Sequence, residues 1–409
     1  MSPTLSLSDP KDLVSEEIRF PETGERLIDA AVRCFAAKWY GTVSVAEICR
    51  EAGLSNGVFY RYFPDKEALF KIILGRVLQR VRSALPMAGS GTYQERLHHL
   101  AESMFRFSRD HADLITVFRE GQYRFFEYER QLVTIYQRIL NVLLERETPF
   151  SEYLYAFGGL RFSAIRWARG AAPIDLESTC RIVSEGLFPG LSFDPEKTFG
   201  GSALPLPVPL DADVHERLLQ SGTRCFGEKG YFETNIHEVT SGAGLSVGSF
   251  YTHFPSKEAF YGEIVQRTGR NVRRFIAQNL AGPGSRSLNP LEYELRGLWL
   301  WIVYLAQDRQ CYNLVREAEF VVPAVARDYY AAFTKGYHQR PRSLRLAQTA
   351  SHVDEATAID YLMGLAHYVG METAFDRTPL NARTLIENIG THLAHGVSPQ
   401  TLLAPAPRR

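Results

Sequence analysis

GLSNGVFYRYFPDKEALF, residues 53–70, returns 191 residues later as GLSVGSFYTHFPSKEAFY, residues 244–261. No gap is needed to align the two. Extended back to Glu25 and Glu216, the match covers 46 positions, of which 21 are identical. The identities include Arg26/Arg217, Cys34/Cys225, Glu47/Glu238, Gly57/Gly248, Phe59-Tyr60/Phe250-Tyr251 and Phe63-Pro64/Phe254-Pro255. Spacing held this closely reads as an internal duplication.

Each copy has the grammar of a helix-turn-helix. Leu27, Ala30, Ala31, Cys34 and Phe35 form an apolar stripe at helical spacing. A second, short helix opens with a capping box, Ser44 with Glu47 and Asn235 with Glu238. Its apolar face is Val45, Ile48 and Cys49, answered by Ile236 and Val239. Ala52-Gly53 and Ala243-Gly244 end it, glycine being free to take the left-handed conformation of a tight turn. Ser55 and Ser246 then cap a third helix that Pro64 and Pro255 close, and a fourth begins at Lys66 or Lys257. A short second helix after a glycine turn is a recognition helix, placed to enter a major groove. Base readout is expected from Ser55, Asn56, Gly57 and Val58, and from Ser246, Val247, Gly248 and Ser249. Asn56 suits a bidentate contact to adenine, and Val247 an apolar contact to a thymine methyl. The two glycines allow close backbone approach to the groove or close packing on the second helix. Ser44 and Asn235 are expected to touch phosphate or a base edge.

Both segments resemble the DNA-binding domain of the tetracycline-repressor (TetR) family of bacterial transcription regulators. The second copy fits the family pattern nearly throughout, from Phe226, Gly230, Tyr231 and Thr234 to His253, Phe254, Lys257 and Glu258. The first fits from Ala52 onward and departs at Trp39 and Val43, where the pattern has glycine and threonine. The resemblance implies that Tyr60, Lys66, Tyr251 and Lys257 clamp the phosphate backbone, and Tyr62 and His253 complete the DNA-contacting set. It also implies an all-α fold of two tandem units, each a three-helix DNA-binding domain followed by a helical ligand and dimerisation body. The expected domains are an extension (1–24), a first head (25–70), a first body (71–188), a Pro/Gly-rich spacer (189–210), a second head (211–261), a second body (262–398) and a tail (399–409).

Amphipathic patterns predict body helices over 92–109, 122–147, 152–169 and 175–187, then over 290–308, 310–338, 354–375 and 380–396. Val117-Phe118-Arg119-Glu120 parallels Leu314-Val315-Arg316-Glu317, and Gly159-Leu160 parallels Gly364-Leu365. In the family the last two long helices of each body form a four-helix dimer interface. Within one chain the resemblance therefore implies a pseudo-dimer, with a homodimer of tandem chains as the alternative. An effector pocket is expected in one or both bodies. Its candidate residues are Phe118, Arg119, Gln122, Tyr123 and Phe126, and its ligand is expected to be a hydrophobic or aromatic small molecule. The same cluster also reads as a core holding an internal Arg–Glu pair.

The 46 basic and 46 acidic residues cancel, which is unusual for a protein that binds DNA through phosphate contacts. Specificity is then expected to come from a few placed contacts. The five cysteines have no paired spacing, the first residues no signal-peptide pattern, and the longest apolar run, Gly297 to Ala306, falls far short of a membrane span. These features point to a cytoplasmic protein, and the resemblance implies a bacterial one, nucleoid-associated when bound to DNA. Adjacent His98 and His99 point to different helix faces and do not make a metal site. No catalytic constellation or phosphate loop is present, and no cofactor is called for. The leading reading is a ligand-responsive repressor that binds double-stranded DNA at an asymmetric operator. The alternative is an interaction or architectural protein in which one head has lost DNA binding and docks protein.

Overall fold

A computed structural model describes residues 19–86, 90–171, 175–201, 203, 213–375 and 381–400, and their regular structure is entirely helical. Most of the extension at 1–24, the Pro-rich end of the 189–210 spacer and residues 401–409 of the tail lie outside the described residues. The chain divides into two compact units, Met1–Thr148 with Ser163–Leu176, and Pro149–Phe162 with Glu177–Arg409.

The first unit opens with its head: α1 (Glu22–Ala37), α2 (Val45–Glu51), α3 (Asn56–Tyr62) and α4 (Lys66–Ala84). The stripe expected on α1 is buried, as are Ile48, Phe59, Phe63 and Phe70, and the Phe35 ring lies edge-on to that of Phe70 at 4.9 Å. Each such side chain contributes about 1.5–3 kcal/mol on burial. Helix α4 leaves the head and packs against α6 (Ala112–Arg124) and α7 (Phe126–Leu144), with α5 (Tyr93–Asp110) completing the bundle. Leu74 of α4 sits where a side chain on Gly121 would be, so the glycine permits that contact.

The helix expected over 122–147 is two helices. Phe125 leaves helical geometry at φ −129°, ψ 76°, and this residue separates α6 from α7. Its ring lies 6.0 Å from that of Phe70, and the Lys71 ammonium lies over it at 4.7 Å. Packing on α4, which sequence periodicity does not register, accompanies the break. The helix expected over 310–338 is divided as well, into Gln310–Val321 and Pro323–His338, and here the reason is local: Pro323 has no N–H to continue the ladder.

The second unit contains residues 150–162 of α8 (Phe150–Ala168), nearly all of α9 (Leu176–Glu185), and α10 (Pro195–Phe199). Its head is α11 (Val214–Lys229), α12 (Ile236–Gly242), α13 (Val247–His253) and the start of α14 (Lys257–Leu280). Its body adds α15 (Pro290–Gln307), α16 (Gln310–Val321), α17 (Pro323–His338), α18 (Leu346–Thr349), α19 (Glu355–Phe375) and α20 (Ala382–His395). Helix α10 lies inside the stretch that reads as a spacer and is fastened to α15. Lys197 Nζ reaches Glu292 at 2.6 Å, and Arg296 Nη1 donates to the carbonyls of Thr198 and Gly200 at 3.1 and 2.5 Å.

Within this unit α8 and α9 meet α19 and α20 at close range. Tyr361 Oη donates to the Tyr155 carbonyl at 2.5 Å, and Phe188 and Val397 N–H groups donate to Leu393 and Val183 carbonyls at 2.8 and 2.7 Å. A methyl group added at Gly364 would lie 3.0 Å from Gly159 Cα, and one at Gly158 would lie 3.4 Å from Leu365 Cα. The glycines let the two backbones come together. Among the described residues no helix is long and apolar enough to cross a membrane, and no cluster of His, Cys, Asp or Glu is arranged to hold a metal ion.

Candidate nucleic-acid interface

The turn that presents each recognition helix is built the same way twice. Gly53 and Gly244 adopt φ +66° and +65°, the left-handed geometry their positions require. Arg26 and Arg217 on the first helices donate to the Ala52 and Ala243 carbonyls at 2.7 and 2.5 Å, which fixes the turn against α1 and α11. Glu25 and Glu216 receive bidentate hydrogen bonds from Arg76 and Arg267, at 2.6 and 2.8 Å and at 2.5 and 2.5 Å. The guanidinium beside each holds its carboxyl below the usual carboxylate value.

The caps differ in detail. Asn235 and Glu238 close the full reciprocal box, whereas Ser44 accepts from the Glu47 N–H and the Glu47 carboxylate is bound by Lys38 at 2.5 Å. Ser246 accepts from the Ser249 N–H at 3.2 Å, while the Ser55 side chain makes no capping bond to α3.

The corner before α2 shows how the first head manages without the expected glycine and threonine. In the second head Gly230 takes φ +85°, and Thr234 Oγ1 donates to the Gly230 carbonyl at 2.8 Å. Trp39 adopts φ −57° instead, and a 3₁₀ turn over Tyr40–Thr42 follows it. Lys66 Nζ donates to the carbonyls of Tyr40 and Val43 at 2.7 Å each and lies 4.2 Å from the Tyr40 ring centroid. Lys66 is thus half-buried in the corner rather than wholly exposed, and burial lowers its pKa, as it does for Lys257 over Tyr231.

A carboxylate from each body also reaches this corner. The Tyr40 N–H donates to both oxygens of Glu120 at 3.0 Å, and the Tyr231 N–H donates to Glu317 at 2.7 Å. From sequence both acids read as halves of an internal Arg–Glu pair, not as partners of the head. The contacts span 80 and 86 residues, and no local pattern carries them.

None of the expected DNA-contacting residues is buried in either head. Ser44, Ser55, Asn56 and Gly57 are exposed, with Val58, Tyr62 and Lys66 half-buried; Tyr60 is 60% exposed. Asn235, Ser246, Val247, Gly248 and His253 are exposed, with Ser249 and Lys257 half-buried; Tyr251 is 58% exposed. A Cβ added at Gly57 would meet nothing within 4 Å, and one at Gly248 only Ser246 Oγ at 3.7 Å. Packing on α2 or α12 therefore does not require these glycines.

In the first body Phe118, Arg119, Gln122 and Tyr123 are buried on α6, and Phe126 is half-buried at the start of α7. The second body contains a cavity of about 670 Å³. Val315 and Arg316, which parallel Phe118 and Arg119, line it from α16. Valine leaves space that phenylalanine would fill.

The family described as bacterial regulatory proteins, tetR family, matches residues 27–73 and again residues 218–264. The chain is 39% identical over 67 residues to the HTH-type transcriptional repressor DhaR of Mycobacterium sp. (strain GP1), which covers 16% of this chain and about a third (34%) of that protein. It is 26% identical over 222 residues to the HTH-type transcriptional regulator HbdR of Aromatoleum sp. (strain CIB), covering 51% of this chain and 96% of that protein. Nearly the full length of one relative thus corresponds to half of this chain. A TetR-like transcriptional regulator from Rhodococcus sp. RHA1 superposes with a TM-score of 0.36 at 17% identity, over 46% of this chain and 97% of that one.

Proposed function

We propose that this chain, which carries two DNA-binding domains of the tetR family of bacterial regulatory proteins, is a pseudo-dimeric transcription regulator that reads an asymmetric operator and releases it on binding a small molecule. Two of its relatives are described as a transcriptional repressor and a transcriptional regulator. The observation that carries the reading is where the two recognition helices agree and differ. Phe59/Phe250 and Phe63/Phe254 are identical and buried. Asn56/Val247, Val58/Ser249, Arg61/Thr252 and Tyr62/His253 differ, and none of them is buried. The scaffold was kept and the reading surface diversified. Tyr60, Tyr251, Lys66 and Lys257 supply phosphate contacts, and Ser44 and Asn235 flank them.

The pseudo-dimer is supported by the glycine contact. Gly159 and Gly364 are equivalent residues of the duplication, and they touch. In a two-fold interface, residues that meet their own counterparts lie at the axis. Ligand response is supported by two neighbours on α16: Arg316 lines the cavity, and Glu317 accepts from the Tyr231 N–H at the head. A ligand that displaces this turn of α16 disturbs the head, and DNA in turn weakens the ligand by the same factor. Such a regulator works on the chromosome, in the cytoplasm.

A near-neutral second head favours one rival, in which that head docks protein. Gel-shift titration of the full chain with each head disabled, by Asn56→Ala with Tyr60→Ala or by Val247→Ala with Tyr251→Ala, separates the two. Loss of operator binding in both variants supports two DNA-reading heads. Unchanged binding after the second pair of substitutions assigns that head to another partner.

A further inference from the structure

The cavity in the second body combines an apolar wall with a cationic lining. Leu298, Leu362 and Leu365 are buried along it. Arg273, Arg274, Arg316, Lys335 and Arg340 also line it, against a single carboxylate, Glu294. That carboxylate is already engaged. Arg340 forms an ion pair with it, and the Arg340 guanidinium lies 3.9 Å from the Tyr337 ring centroid.

Arg273 is placed differently. Its Nη1 is buried and has no hydrogen-bond partner among the described residues, and its guanidinium lies over the Phe333 ring at 5.6 Å. Burial pulls its pKa down, yet arginine stays protonated in proteins. A buried donor without an acceptor is costly, and an anionic oxygen at that point removes the cost. Arg274 and Lys335 are exposed and mark the open side, so that a negative charge meets cations on the way in.

We propose that this cavity takes an amphiphilic anion, with its carboxylate or phosphate group bound by Arg273 and its apolar body laid against Leu298, Leu362 and Leu365. The proposal rests on the ligand-responsive reading above and narrows its ligand from an apolar molecule to an apolar anion. At about 670 Å³ the space falls within the usual range of small-molecule sites, about 300–1,000 Å³. Gly297 and Gly336 also line it, and a Cβ added at either would meet nothing within 4 Å. A larger side chain there meets open space instead of the protein, and in a helix interior it is also favoured over glycine.

The test is calorimetric titration of the full chain at neutral pH with decanoate, decyl phosphate and decanol, which share one tail and differ in head group. One or both anions should bind about tenfold or more tighter than decanol, and their ratio identifies the preferred group. Arg273→Gln should remove that preference and leave decanol binding unchanged. Gly297→Leu should weaken all three without lowering the melting temperature, which separates a filled cavity from a misfolded protein. Anions that bind no better than decanol, or not at all, overturn the proposal, as does an Arg273→Gln variant that weakens all three equally. A parallel gel shift separates the two readings. If an anion binds through Arg273 and leaves operator affinity unchanged, ligand-responsive regulation fails while the ligand class stands. If decanol releases DNA as well as the anions do, the ligand class fails and the regulation stands.

Discussion

Asn56 is an exposed amide at the start of α3, and Val247 stands in its place in the second head. Asn56→Ala should relax preference at one base pair of the operator, at a cost of about 1–3 kcal/mol there, as binding measured across a panel of single-base operator variants would show. A uniform loss across the panel assigns Asn56 to backbone positioning. Tyr60→Phe removes one exposed hydroxyl and nothing from the core, so it should weaken all DNA sequences alike and leave the melting temperature unchanged. Lys66→Ala is expected to do two things at once. It strips the donor from the Tyr40 and Val43 carbonyls and lowers stability, and it reduces the salt dependence of binding by about one phosphate contact. A lowered melting temperature with an unchanged slope of log affinity against log salt would confine Lys66 to the corner.

At the scale of elements, the Glu25–Arg76 and Glu216–Arg267 pairs tie the first helix of each head to the fourth. A carboxyl whose folded pKa is depressed contributes stability above its unfolded pKa, about 4.3, and loses it as pH falls through the folded value. The melting temperature should therefore hold from neutral pH to about pH 4.5 and decline below it, more shallowly in Glu25→Gln with Glu216→Gln. An identical decline in that variant would place acid sensitivity elsewhere. These helices were legible because their signals are local: the Leu27–Phe35 stripe, the glycine turns at 53 and 244, the prolines at 64 and 255. Apart from the local break at Pro323, what eluded sequence reading depends on contacts between distant residues. Phe125 breaks a periodic stretch where it packs on α4, and α10, capped locally by Asp194, is fastened to α15 through Lys197 and Arg296. The same holds for the candidate site. Its exposed reading surface follows from the motif, whereas the Glu120–Tyr40 and Glu317–Tyr231 links and the cavity at Val315 follow only from the folded bodies.

At the scale of the molecule, two weakly charged heads on one chain offset by linkage what they lack in charge. On the reading proposed above, once one head is bound the second binds intramolecularly, at an effective concentration set by the connection between them. A homodimer of identical heads reads a palindrome because its axis coincides with that of the DNA, and half-sites then fall about 34–36 Å apart in successive major grooves. Two unlike recognition helices have no such axis to share. One chain should therefore occupy one short operator of two unlike half-sites, and the most direct measurement of this is footprinting of a selected operator combined with the mass of the intact complex. The account expects one chain across a non-palindromic site protected in two adjacent major grooves. A palindrome occupied by two chains, each reading with the same head, would contradict it.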